Sequence, residues 1–115
     1  MTSGTPYEQG DILLVPFPFT NLLAVKNRPV LVLSNDEYNG KGADILTCGI
    51  TSNLKDAQFS VLIDNTNLIH GSLPVESRIK ADKLFTLEKT IIIKKIGKIN
   101  QETMKAVKEE LIKVM

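Results

Sequence analysis

Turn residues interrupt this sequence so regularly that, before Asn100, no apolar run has room to become a long helix. Ile12 to Val15 is closed by Pro16 and Pro18, and Pro29 to Leu33 by Ser34, Asn35 and Asp36. Asp44 to Ile50 ends at the polar stretch Ser52 to Asp56, and Phe59 to Ile63 at Asp64, Asn65 and Asn67. Short runs rich in Val, Ile, Leu and Phe favour extended backbone. A proline has no N–H to give a ladder, so the first run, Asp11 to Phe19, reads as a buried strand that Pro16 and Pro18 end at an edge or a bulge. Asn21 to Asn27 reads as a loop, and Asn39, Gly40 and Gly42 as a flexible turn. Ser77 to Ala81 reads as a partly exposed strand with Ile79 inward, and Thr90 to Ile99 as another, broken at Gly97. Short strands joined by turns predict a mostly β chain closed into a small barrel or curled sheet.

The period changes at the end of the chain. Met104, Val107, Leu111 and Val114 recur three and four apart, the spacing of one helix face, while Lys105, Lys108, Glu109 and Lys113 fall on the wet side. Asn100 is the expected N-cap, its side-chain oxygen taking an amide of the first turn, and Glu102 suits the positive end of the helix dipole. Because the polar face mixes both signs of charge, this C-terminal helix is expected to pack on the sheet and not on a membrane. Residues 1–9, polar and rich in Gly, Thr and Pro, read as a flexible leader to a single domain at 10–115.

A chain of 115 residues can bury roughly two-thirds of the surface its unfolded form exposes, enough for a core without disulfides or metal. Cys48 is the one cysteine and His70 the one histidine, so neither an internal bridge nor a zinc cluster is open to the chain. Cys48 is expected to pack inside a strand. No apolar run nears the roughly 20 residues that cross a bilayer, and no charged and apolar leader is present, so the expected location is the cytoplasm. The net charge of +1 is not the footprint of a general nucleic-acid binder, and any surface for RNA has to be local.

Most familiar catalytic sets are absent: no GxSxG, no HExxH and no Gly-rich phosphate loop. With His70 alone, a two-histidine mechanism within one subunit is impossible, and His70 itself reads as a surface turn residue between Asn67 and Gly71. Four polar residues stand at strand ends, where rigid backbone can aim a side chain into a shared groove: Arg28, Thr51, Lys80 and Asp82. Taken singly they read as a solvated charge, a turn-forming hydroxyl and a surface ion pair; Lys80 and Asp82, two apart, are expected to leave the same strand face.

The order of segments adds what single residues do not. Gly10-Asp11-Ile12-Leu13-Leu14-Val15, Asn27-Arg28-Pro29-Val30-Leu31-Val32-Leu33-Ser34 and Gly49-Ile50-Thr51-Ser52 resemble the MazF/PemK family of growth-inhibiting toxins. So do Ser77-Arg78-Ile79-Lys80-Ala81-Asp82-Lys83-Leu84-Phe85-Thr86-Leu87 and Lys95-Ile96-Gly97-Lys98-Ile99 ahead of the terminal helix. The resemblance runs from Gly10 to the end and implies an SH3-like barrel with a C-terminal helix. It implies a homodimer that cleaves single-stranded RNA or mRNA at short sequences without metal or cofactor, and that a cognate antitoxin silences. Arg28 matches the family's strand-leading catalytic arginine and Thr51 the hydroxyl beside it; Lys80 and Asp82 match a basic residue two positions before an aspartate.

Metal-free cleavage requires the ribose 2′-hydroxyl to attack the adjacent phosphate, leaving a 2′,3′-cyclic phosphate and a 5′-hydroxyl. Arg28 can clamp two phosphate oxygens through its planar fork, and Thr51 can donate one hydrogen bond to them. Asp82 is the candidate base, if desolvation raises its proton affinity. Lys80 lacks the bidentate fork of an arginine, and the loop ahead of Arg28 carries Leu23, Ala24, Val25 and Lys26 where many relatives have an acid or histidine. RNA contacts are expected from Lys26, Asn27, Ser52, Asn53, Lys55, Ser77 and Arg78. Phe17, Phe19 and Phe59 can stack on a base but read as core. The competing readings are a non-catalytic toxin of the CcdB kind, which poisons a DNA topoisomerase by contact, and a peptide adaptor, which the lack of Trp disfavours.

Overall fold

The computed structural model describes residues 6–18 and 25–115. Among these residues seven strands, β1 (Asp11–Pro18), β2 (Val25–Val32), β3 (Asp44–Thr51), β4 (Ser60–Ile63), β5 (Leu68–Gly71), β6 (Ser77–Glu88) and β7 (Lys94–Ile99), form one curled sheet in the order β4-β6-β3-β2-β1-β7-β5. Every pairing is antiparallel. A short helix α1 (Asp36–Lys41) follows β2 and a longer one, α2 (Gln101–Val114), closes the chain.

Apolar side chains alternate along the central strands and build a core on each face. One face joins Ile12, Leu31, Cys48, Ile50 and Ile79 to Met104 and Val107 of α2; the other gathers Leu13, Val15, Val30, Val32 and Ile45. Each fully buried Ile, Leu or Val among them stabilises the fold by about 1.5–3 kcal/mol. The helix forms as its spacing predicts: the Asn100 side chain accepts from Thr103 N at 2.8 Å, Val107 is buried and Lys105, Lys108, Glu109 and Lys113 are exposed. Val114, though on the same arc, is exposed in the last turn. Gly71 sits at φ +80, where a side chain would collide with the Ile96 carbonyl and Gly97, so β5 and β7 meet only because that position carries none.

Several elements depart from the sequence reading. The Asn39-Gly40-Gly42 stretch is a helix and a C-cap, not a turn, because the Asn35 side chain caps the Tyr38 amide at 2.9 Å and buried Asn39 donates to Ser34 O at 2.9 Å. His70 lies exposed on edge strand β5, not in a turn. The expected strand at Thr90 begins as a single 3-10 turn (Lys89–Ile91) before β7. Of the expected leader, Tyr7 packs on the second core and Gln9 donates to Leu33 O at 2.7 Å. Phe19, Asn21, Leu23 and Ala24 lie outside the described residues, whereas Lys26, Asn27 and Arg28, read as loop or loop end, belong to β2.

Two irregularities shape the region around β3. β2 pairs with β1 from Val25 to Leu31 but with β3 only at Val30–Val32, so the Arg28-Pro29 segment stands beside β3 without a ladder. On the other side of β3, register jumps from Cys48 opposite Leu84 to Gly49 opposite Lys80, leaving residues 81–83 bulged out of the pairing.

Candidate functional site

The unpaired interval between β2 and β3 opens into a pocket of about 380 Å³. Arg28 and Pro29 line it from β2, and Gly49, Ile50 and Thr51 from β3. Proline suits this position, since a strand with no ladder on one side loses nothing through a missing N–H there. Lys80, Lys83 and Phe85 of β6, Phe17 of β1 and Asp56 of the following loop complete the lining. Three cations and one carboxylate therefore face a pocket in a chain whose net charge is only +1.

Arg28 is half-buried and Thr51 is the last residue of β3. The Thr51 hydroxyl oxygen accepts from Asn53 N at 3.1 Å, which uses a lone pair and leaves the hydroxyl proton for donation. That bond starts the turn that swings the 52–59 loop across β6. Two side chains then tether the loop. Arg78 Nε donates to Leu54 O at 2.6 Å and its Nη1 to Ser60 Oγ at 3.3 Å. Lys80, 2 % exposed, donates to Asp56 Oδ1 at 2.8 Å and to the Gln58 carbonyl. The hydrogen bond from Lys80 holds the Asp56 carboxyl below the usual carboxylate range, so Asp56 is ionised near neutrality.

These contacts sort the residues singled out in the sequence. Arg28, Thr51 and Lys80 share the pocket. Asp82 does not line it: it stays on the side of Lys80, as its spacing predicts, 3.5 Å from Lys80 Nζ, with Oδ1 buried and lacking a hydrogen-bond partner. Ser77, expected as an RNA contact, is buried, and its hydroxyl donates to Val75 O at 3.0 Å. Arg78 is engaged by the loop. Lys26, Asn27, Ser52, Asn53 and Lys55 are exposed on β2 and on the loop that joins Thr51 to Asp56. Cys48 is buried with its thiol pushed up to about 12, first by desolvation and then by the Asp82 charge, and is inert packing as expected.

The sequence reading passed over Asp56, Lys83 and Phe85. Lys83 reaches the pocket only because residues 81–83 bulge, which no periodicity signals, and Phe85 meets Phe17 edge to face with ring centroids 4.9 Å apart at 82°. Phe17, read as core with stacking as the alternative, is thus half-buried at the pocket wall, whereas Phe59 is exposed at φ 50 just before β4. Among the described residues no group of His, Cys, Asp and Glu is arranged to hold a metal ion, and no helix is long and apolar enough to cross a membrane.

Comparison with known proteins follows the same lines. The family model for PemK-like, MazF-like toxins of type II toxin-antitoxin systems matches residues 8–115. No curated protein matches the chain. Among solved structures, a MazE-MazF complex from Deinococcus radiodurans superposes with a TM-score of 0.77 at 21% identity, over 94% of this chain and 94% of that one. An endoribonuclease in complex with its cognate antitoxin from Mycobacterial species gives 0.76 at 19% identity, over 93% and 92%. The Mycobacterium tuberculosis toxin MazF-mt6 gives 0.67 at 19% identity, over 86% and 91%. At these identities the solved structures establish the shared fold.

Proposed function

Since the chain belongs to the PemK-like, MazF-like toxin family of type II toxin-antitoxin systems, we propose that it is a metal-independent endoribonuclease that cuts single-stranded RNA, mRNA included. The observation that carries this reading is that Arg28 and Thr51, which come from different strands, line one open pocket at the place where the β2–β3 ladder stops. A guanidinium keeps its charge at any working pH and grips two phosphate oxygens in one plane. Thr51 adds a donor at the same phosphate. Both favour the extra negative charge of the phosphorane over the ground state, which is how such donors accelerate the step.

In that step the 2′-oxygen bonds to phosphorus while the bond to the 5′-oxygen breaks, giving a 2′,3′-cyclic phosphate and a 5′-hydroxyl. One proton leaves the 2′-hydroxyl and one arrives at the departing 5′-oxygen. Asp82, the base expected from sequence, touches the pocket only through Lys80, and Asp56, which does line it, has its proton affinity lowered by Lys80. Solvent at the open mouth is the proton acceptor this geometry offers. Lys83 supplies further positive charge along the path of the backbone.

The same reading includes a cognate antitoxin as the silencing partner, supported by the antitoxin-bound neighbours, and a second copy of the chain as a homodimer acting in the cytoplasm. Incubating the protein with a defined RNA strand in EDTA tests the reaction by product mass. A cyclic-phosphate terminus is the expected result, and RNA left intact in the absence of antitoxin overturns the proposal.

A further inference from the structure

We propose that the pocket is also a nucleobase subsite selective for guanine, with Phe17 and Phe85 against the base and Asp56 at its Watson–Crick edge; this rests on the ribonuclease reading above. The Phe17–Phe85 pair forms a wall of the pocket that holds Arg28 and Thr51. A base unstacked from its neighbours therefore finds aromatic surface beside the phosphate clamp, as single-stranded RNA recognition requires. Gly49 lines the same pocket and carries no side chain to cover the Phe85 ring, which a Cβ there would meet at 3.5 Å. Stacking alone holds every base. Discrimination has to come from a polar group.

Asp56 is placed to supply it. Its carboxylate is anchored from behind by a lysine that is itself 2 % exposed, through Oδ1 at 2.8 Å, and its amide donates to Asn53 O at 3.2 Å. The Asp56 side chain is nevertheless 44% exposed, which leaves Oδ2 to meet a ligand. An ionised carboxylate accepts and cannot donate. Guanine presents two adjacent donors, N1–H and N2–H, along one edge. Adenine and cytosine set a lone pair beside their amino group, and uracil flanks its one N–H with two carbonyls, so each of these turns a repelling lone pair toward the carboxylate. A rigid acceptor of this kind ranks guanine first.

The test titrates the four ribonucleoside 5′-monophosphates against the full chain and, in parallel, measures cleavage of RNA strands that differ only in the base beside the scissile bond. Guanosine monophosphate is expected to bind about tenfold more tightly than the other three, the discrimination one bidentate contact provides. Asp56→Asn keeps an oxygen for Lys80 and so keeps the loop tethered, yet it should abolish the preference. Phe85→Leu should weaken all four nucleotides together and leave their order unchanged. Equal affinities in the unaltered protein, or a guanine preference that survives in Asp56→Asn, overturns the subsite. Cleavage that ignores guanine overturns it while leaving the ribonuclease reading intact. Guanine-selective binding by a protein that leaves RNA uncut upholds the subsite and ends the ribonuclease reading.

Discussion

The two flanks of β3 use positive charge in different ways. Toward β2 the ladder stops at Val30, and Arg28 lines the opening that results. Toward β6 pairing runs to Thr51 opposite Arg78, and the 52–59 loop folds back over the seam so that Arg78 and Lys80 donate to its carbonyls and to Asp56. In sequence all three cations stand at or near a strand end and look alike. The difference lies in what the backbone does beside them: a missing ladder makes room for a visiting phosphate, whereas a returning loop brings its own acceptors to Arg78 and Lys80.

Removing a charge on each flank tests that contrast. Arg28→Ala is expected to lower the rate of RNA cleavage by roughly a hundredfold or more, the loss that follows removal of a key transition-state donor. Lys80→Met is expected to give a smaller rate loss, about tenfold, with faster amide hydrogen exchange at Asp56 and Ala57, because the loop loses a tether and the buried Asp82 oxygen its nearest cation. If Lys80→Met costs as much activity as Arg28→Ala while exchange in the loop is unchanged, Lys80 is a substrate ligand and the two flanks are alike after all.

The same contrast explains how much could be read from the chain. Strand runs, the terminal helix and its Asn100 cap follow from local periodicity, which the packing of Ile79, Met104 and Val107 reinforces. Arg28 and Thr51 were legible as a pair only through the ordered resemblance to a family, since a strand-end arginine alone is usually solvated. Asp82 keeps the expected company of Lys80, 3.5 Å away, but lies outside the pocket, beside a register break that period-two spacing does not signal. Whether a polar strand residue faces ligand or its own backbone can depend on where a distant loop lands, as the 2.6 Å bond from Arg78 to Leu54 shows, whereas Ser77 is buried and turns its hydroxyl to Val75, two residues away. Asp56 and Phe85 had no local signal, because their meaning comes from sharing a pocket with residues far away in sequence.

The smallest effect on activity, and the sharpest check on the closed flank, concerns Cys48. It lies at the register break under the β3–β6 seam, where burial first and the Asp82 charge second push its thiol up to about 12 from an ordinary 9.0. Folding therefore favours the neutral thiol. A folded-state value raised above the unfolded one contributes stability that is fully present below pH 9 and is lost as pH climbs from there toward 12. The urea midpoint should accordingly hold between pH 7 and 8 and fall progressively above 9, while a thiol-reactive dye at pH 8 labels the chain only after unfolding and leaves cleavage untouched before it. Rapid labelling of the folded protein would mean that solvent reaches beneath the seam, and the tethered flank would then be as open as the one that carries Arg28.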